Sequence, residues 1–188
     1  MKVNANTLRP GNVIERNEKL WAIVKAEIMT PGKGAAVVQV EMRDIKTGTK
    51  DNVRYRTQET VEKVRLEQDD YQFLYDNGEG YEFMNQETYE QVVISGDVIG
   101  YPKVFLQEGM TVVVESYEGE ALGVELPDQV TVQIVEAEPV VKGQTASSSY
   151  KPAIIENGER VMVPPHIDNG TRIVVKTADA SYVEKAKD

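Results

Sequence analysis

Residues 21–42 read WAIVKAEIMTPGKGAAVVQVEM, two short apolar runs on either side of a break that contains one proline and two glycines. Both runs are rich in β-branched residues, which favour the extended strand conformation. Proline and glycine in the break favour a tight connection between them. We therefore predict a β-hairpin with strands at Trp21 to Ile28 and Ala36 to Met42, and with Lys33 at its tip.

The same pattern recurs along the chain, for example at Thr111 to Val114 and at Val130 to Val135. Turn signals separate the runs, and in each of them a glycine supplies the positive φ that a tight turn requires. These glycines are Gly48, Gly78, Gly119, Gly158 and Gly170. Helical periodicity is scarce; Asn85 to Val93 favours about one helical turn, and Thr57 to Val64 is ambiguous. The fold class predicted from this spacing is all-β, built from small barrels or sandwiches.

The composition removes several functional classes. The chain has 188 residues, a formal net charge of −10, 40% hydrophobic residues and no cysteine. Without cysteine there is no disulfide, iron–sulfur cluster, thiolate zinc site or thiol nucleophile. The amino terminus lacks the pattern of a signal peptide, and no run of about 18 apolar residues is present. We expect a cytoplasmic protein away from membranes, without catalytic residue, metal or cofactor.

Charge is distributed unevenly along the chain. Residues 1–64 carry 12 basic and 8 acidic side chains, residues 65–127 carry 2 and 14, and residues 128–188 carry 7 and 9. A polyanion would be attracted to the first third and repelled by the second. We predict domains at 1–64, 65–127 and 128–188, each about the smallest size that supports its own core.

Lys33 is the residue of the hairpin that carries chemistry. Pro31, Gly32 and Gly34 set the geometry of its loop, with a glycine on each side so that the backbone turns without a Cβ clash. An ammonium at a narrow tip can enter a channel, donate to phosphate or sugar oxygens, and be reached by a modifying enzyme. The basic candidates for facing RNA on the surrounding strands are Lys25, Arg43, Lys46, Lys50, Arg54 and Arg56.

Other interpretations of these residues remain open at this point. The basic side chains are also the outward positions expected of any small barrel, and a lysine on a hairpin tip also serves solubility. A general RNA-binding β protein is one alternative. An acid–base enzyme that uses Asp69 with Asp70, or Glu115 with Glu125, is another, although such pairs are usually solvated surface. For His166 we favour a packing or surface role.

Several segments, taken in order, resemble bacterial translation elongation factor P. They span nearly the whole chain, and the segment at 81–91 is long enough to make coincidence very rare. The matching segments are Leu8 to Ile14, Trp21, Pro31 to Gly34, Phe73 to Tyr75, Tyr81 to Gln91, Val124 to Pro127 and Lys151 to Ala153.

The resemblance implies a fold and a role. The fold is three β-barrel domains in an L shape like a tRNA, an SH3-like barrel followed by two OB folds. Members of the family bind the ribosome, contacting both subunits, between the peptidyl and exit tRNA sites. They relieve stalling when consecutive prolines are joined. A factor of this kind is not an enzyme, and we expect a monomer.

The resemblance also assigns residues. Lys33 would reach the acceptor end of peptidyl-tRNA, and in many members this lysine is modified by a separate enzyme; some relatives carry a β-lysyl group, some another adduct, some none. The loop containing Gly143, Gln144, Thr145 and Ala146 would lie near the messenger at the exit site. Gln144 and the serines after it depart from the family pattern, as do Lys176, Ala178, Ala180, Lys185 and His166. These departures keep open a paralogue with altered specificity.

Overall fold

The computed structural model describes residues 1–139 and 149–187, and in these ranges it contains three β-sheets with little helix. The first sheet contains β1 (Lys2–Asn4), β2 (Val13–Arg16), β3 (Lys19–Met29), β4 (Val37–Asp44), β5 (Lys50–Arg56) and β6 (Thr60–Val64). The second contains β7 (Glu67–Asp76), β8 (Tyr81–Asn85), β9 (Gln91–Ile94), β10 (Thr111–Tyr117) and β11 (Glu120–Glu125). The third contains β12 (Gln129–Ala137), β13 (Lys151–Ile155), β14 (Arg160–Val163), β15 (Arg172–Lys176) and β16 (Tyr182–Lys185).

Strand order differs between the sheets. The first sheet is ordered β1-β6-β2-β3-β4-β5, the second β11-β10-β7-β8-β9 and the third β14-β13-β12-β15-β16. One α-helical turn, α1 (Gly96–Ile99), and two 3₁₀ turns, Ala5–Thr7 and Tyr101–Phe105, complete the described elements. No helix among the described residues is long and apolar enough to cross a membrane.

The all-β prediction is confirmed, and so are the positive φ angles of the five turn glycines, which lie between 76° and 89°. The helical turn expected within residues 85–93 is absent. Asn85 instead accepts hydrogen bonds at Oδ1 from the N–H groups of Glu87 and Thr88, and this closes a tight turn before β9. An asparagine that folds the backbone over its own side chain competes with helix formation.

The core of the first sheet forms because alternate side chains of its strands point inward. On β4, Val38, Val40 and Met42 are buried, while the residues between them lie on the outer face. Trp21 and Tyr55 join this core from the neighbouring strands. The core therefore fixes which side chains of β3, β4 and β5 face outward.

The chain divides into two compact units. One contains Met1–Glu67 together with Ser116–Leu122, and the other contains Gln68–Glu115 with Gly123–Asp188. In the second unit Phe73 packs against Phe83, with ring centroids 5.4 Å apart. Fully buried Ile134, Ile155 and Ile173 form the centre of the third sheet. The domain boundaries after residues 64 and 127 stay predictions.

Candidate functional site

The Lys33 loop, residues 30–36, joins β3 to β4. The last strand pair before it is Met29 with Val37, and inside it the N–H of Gly34 donates to the carbonyl of Pro31 (3.1 Å). Lys33 is exposed, and it makes no hydrogen bond or ion pair with any residue that the structure describes. Its ammonium is therefore available to a partner.

The two loop glycines differ from their expected role. Neither has a positive φ, and a Cβ on Gly32 would meet no atom within 4 Å. A Cβ on Gly34 would touch Pro31 Cγ at 3.6 Å, which is an ordinary contact. The backbone therefore does not require glycine here to avoid a clash. The two glycines instead keep the tip of the loop thin. Lys33 is the residue of this loop with a long side chain.

A β-bulge in β3 sets the outer face of the hairpin. Pairing with β4 shifts between Ile23 and Lys25, so Val24 is the extra residue. Beyond the bulge, Lys25, Glu27 and Met29 pair with the outward residues of β4. Three strands therefore contribute to one outer face.

Cross-strand rows order this face from the loop downward. The row nearest the loop is Met29, Val37 and Arg56, and the next rows are Glu27, Gln39 and Arg54, then Lys25, Glu41 and Asn52, then Ala22, Arg43 and Lys50. The face carries five basic and two acidic side chains. All six predicted basic candidates are exposed, but Lys46 lies in the turn after β4 and outside these rows.

The basic side chains differ in how they are paired. Lys25 Nζ lies 3.1 Å from Glu27 Oε1, and Lys50 Nζ lies 3.7 Å from Glu41 Oε1. Arg54 Nε donates instead to the neutral Gln39 Oε1 (3.3 Å). Among the described residues, no acidic group forms a salt bridge with Arg54, Arg56 or Arg43. Arg54 and Arg56 near the loop, and Arg43 toward the other end of β4, therefore keep their positive charge without an acidic partner among the described residues.

The turn at the other end of β4, residues 44–49, is built around a buried carboxylate. Asp44 is 3% exposed, and its Oδ1 accepts hydrogen bonds from the N–H of Lys46 (2.9 Å) and the N–H of Thr47 (3.4 Å). Burial by itself raises the pKa of Asp44, but these N–H groups and the Lys19 ammonium together hold that pKa below its usual value of 3.8. Lys46 therefore contributes to this turn through its backbone N–H group.

Sequence reasoning missed one feature of the loop. A surface cavity of about 360 Å³ lies at its base, lined by Met29, Thr30, Pro31, Val37 and Arg54. Met29 and Val37 are apolar residues at outward positions of exposed strands. Once the bulge at Val24 is known, the sequence identifies them.

The remaining candidates lie elsewhere. Gly143, Gln144, Thr145 and Ala146 fall outside the described residues. Asp69 and Asp70 are both exposed on β7, and His166 is exposed between β14 and β15. Glu115 on β10 is half-buried, and Glu125 at the end of β11 is exposed.

Family models match the chain in three consecutive parts. They are the elongation factor P KOW-like domain at residues 4–61, the elongation factor P OB domain at 66–124 and the elongation factor P C-terminal model at 130–185. These matches support the SH3-like (KOW-like) and OB assignments.

Named relatives match over the full length. Elongation factor P of Rhodospirillum centenum is 61% identical over 188 residues, covering 100% of both chains. Elongation factor P of Parvibaculum lavamentivorans is 57% identical over 186 residues, covering 99% of this chain and 100% of the relative. These are translation factors and not enzymes, which excludes the acid–base alternative.

A solved structure supports the fold. Eukaryotic translation initiation factor 5A from Methanococcus jannaschii superposes with a TM-score of 0.51 and 23% identity, covering 68% of this chain and 92% of that one. The three family models and the full-length relatives show that the chain belongs to the elongation factor P family of translation factors.

Proposed function

We propose that this translation elongation factor binds the ribosome between the peptidyl and exit tRNA sites and relieves stalling at consecutive prolines. Lys33 would contact the acceptor end of peptidyl-tRNA. The observation that carries the proposal is the exposed Lys33 ammonium on a thin loop, with Arg54 and Arg56 at the base of that loop. Among the described residues, Lys33 has no hydrogen-bond or ion-pair partner, and neither arginine forms a salt bridge. RNA is a polyanion that this finger, the Lys33 loop with the ends of β3 and β4, can bind.

Positioning is the chemistry that this arrangement can supply. Proline has a fixed φ and a secondary nitrogen, so it reacts slowly and depends strongly on alignment. A finger that holds the tRNA end in a reactive arrangement lowers the entropic part of the barrier without transferring a proton or forming a bond. A lysine ammonium with three donors suits the phosphate and sugar oxygens of that end. No histidine or cysteine is needed for this role.

The stem of the finger is suited to reaching away from the domain. None of the last six residues of β3, from Val24 to Met29, is buried. The loop, residues 30–36, lies beyond the buried Val38 and Val40 of β4, so it can enter a channel without disturbing the core of its own sheet. The same access would let a lysine-modifying enzyme reach Lys33, and an adduct would lengthen the finger and add donors. The loop at 143–146 completes the proposal as a contact near the exit site.

Reconstituted bacterial translation of a message with three consecutive prolines tests the proposal. The reactions contain the wild-type protein, no factor, Lys33→Ala, or Lys2→Ala. We expect wild type to raise full-length product, and Lys33→Ala to lose at least about tenfold of that gain, since well-placed contacts carry large rate factors. Lys2→Ala is the matched control, because Lys2 is an exposed lysine of the same sheet that is not among the basic residues predicted to face RNA.

Two outcomes would contradict the proposal. If wild type purified from its native host gives no rescue, the polyproline role fails, and a paralogue with other specificity takes its place. If Lys33→Ala rescues as well as Lys2→Ala, the assignment of Lys33 fails. Thermal unfolding of both variants should match wild type within about 0.5 kcal/mol, because both are surface substitutions.

A further inference from the structure

The cavity at the base of the Lys33 loop has the chemistry of a base-binding site. Its volume is about 360 Å³, and its walls are Met29, Pro31 and Val37, with the guanidinium of Arg54 as its charged group. Met29 is 45% exposed although it is a large apolar residue. Because these walls are apolar and lie beside a loop that we propose to contact RNA, the cavity suits the apolar, planar part of an RNA ligand.

The position of Arg54 adds a second property. Its Nε–H donates to Gln39 Oε1 at 3.3 Å, which fixes the guanidinium beside the cavity. The nearest acidic residue in the same row, Glu27, is 3.1 Å from Lys25 Nζ and is thus engaged on its other side. Arg54 forms no salt bridge among the described residues. Its planar face and remaining N–H groups are therefore available for stacking and for an anion.

We infer that this cavity binds one unpaired nucleobase of the RNA strand whose backbone Lys33 contacts. The base would lie against Met29 and Val37 and stack on the Arg54 guanidinium, as unpaired bases do on arginine planes. Arg56, in the row next to the loop, is placed for the neighbouring phosphate. This inference rests on the proposed function, and it adds base contact to a finger otherwise described by its tip.

Strand β3 offers a matched control on its opposite face. Ile28 is 58% exposed and pairs with the buried Val38, so it lies on the face away from the cavity. Met29 and Ile28 are adjacent, apolar and exposed, and only Met29 lines the cavity. Threonine at either position keeps β-propensity and removes apolar contact. Met29→Thr therefore removes an apolar contact in the cavity, whereas Ile28→Thr removes apolar surface from the opposite face and leaves the cavity unchanged.

Methyl NMR reads the cavity directly. The full chain is labelled at the methionine methyl groups, and a short single-stranded RNA ending in 5′-ACCA-3′ is the probe. A second RNA has the same backbone but lacks the terminal base. We expect the Met29 methyl signal to move with the first RNA and to move much less with the second. Met42 in the core and Met162 on β14 serve as internal references.

The two variants are then compared in the polyproline translation assay. Met29→Thr should lower the rescue rate about fivefold, the factor that about 1 kcal/mol of contact energy carries. Ile28→Thr should stay within about twofold of wild type. All proteins carry the same Lys33 state, which is verified by mass spectrometry, so that a difference in modification cannot imitate the result.

The outcomes separate this inference from the proposed function. If wild type rescues and Lys33→Ala does not, yet Met29→Thr equals Ile28→Thr, the cavity assignment is wrong while the function stands. Equal Met29 shifts with both RNAs also overturn it. If Met29→Thr made in the native host is modified less at Lys33, yet rescues like wild type when the Lys33 states are equal, the occupant is the modifying enzyme and not a base. Loss of rescue by wild type would instead remove the proposed function.

Discussion

Strand β4 begins at the Lys33 loop and ends at the turn of residues 44–49, and these two connections are built in opposite ways. In the turn, the buried carboxylate of Asp44 accepts hydrogen bonds from two backbone N–H groups, and the Asp44 N–H donates to the carbonyl of Thr49 (2.8 Å). In the loop, one backbone hydrogen bond, between Gly34 and Pro31, holds the tip. Gly48 of the turn has a φ of 76°, whereas the loop glycines have none in the left-handed region.

The difference separates stability from access. At the turn, the buried Asp44 carboxylate and the backbone groups around it have partners within the sheet, so this part of the turn is committed to the fold. At the loop, the Lys33 ammonium has no partner among the described residues, Arg54 donates to the neutral Gln39, and the Met29 side chain is exposed. A ligand gains most from contacts with exposed groups that have no partner within the protein. We therefore expect binding at the loop end of β4 and not at the turn end, although both ends are basic.

The largest effect should come from removing basic charge at the two ends. We expect Arg54→Ala with Arg56→Ala to weaken ribosome binding about tenfold and to flatten its dependence on salt, as lost phosphate contacts do. Arg43→Ala with Lys46→Ala removes the same charge at the turn end and should cost less than about twofold. Sedimentation binding to ribosomes at several salt concentrations measures both. Equal losses would show that the whole basic face binds, and the contrast between the ends would fail.

A smaller effect should appear when alanine replaces one glycine at each end. A Cβ on either Gly48 or Gly32 would meet no atom within 4 Å, so only the backbone conformation distinguishes them. Gly48→Ala should destabilise the first unit by about 1 kcal/mol, because φ of 76° is strained for alanine. Gly32→Ala should be neutral or slightly stabilising. Urea unfolding followed by fluorescence of Trp21, the single tryptophan, reports this unit.

The opposite order of stabilities for these two variants would break the comparison. It would mean that the loop backbone is more tightly determined than its hydrogen bonds indicate. A loss in both variants would point to a general cost of alanine in connections. Gly119→Ala, at a φ of 82° in a turn of the second sheet, is a further check that the left-handed conformation is the cause.

Much of the first sheet could be predicted from sequence. The apolar runs at 21–28 and 36–42 lie in β3 and β4, as predicted. Alternating β-branched side chains indicate both the strand conformation and the face that is buried. The turn glycines were equally readable, since a positive φ favours glycine over every other residue. The α1 turn at Gly96–Ile99 was missed, because four residues are too few to show a helical period.

The cavity could not be predicted, and the bulge at Val24 is the physical reason. Strict alternation from the inward Trp21 and Ile23 would place Lys25 and Met29 on the inner face as well. One extra residue reverses the facing of every later side chain in β3. The sequence therefore identified Lys33 and the basic residues by their residue type. The row that joins Met29, Val37 and Arg56 could be identified only from the pairing register of β3, β4 and β5.

The smallest effect concerns the charge of Asp44 at the turn end. Because its folded pKa is lowered, its charged form contributes stability above the usual value of 3.8, and this contribution is lost as the pH falls through the folded pKa. Asp44→Asn should thus have a lower urea midpoint than wild type at pH 6, and the gap should shrink below pH 3.8. Glu27→Gln, which removes an exposed carboxylate at the loop end, controls for net charge. A gap that stays constant with pH would assign the role of Asp44 to its hydrogen-bonding shape, and charge would then play no part in the contrast between the two ends of β4.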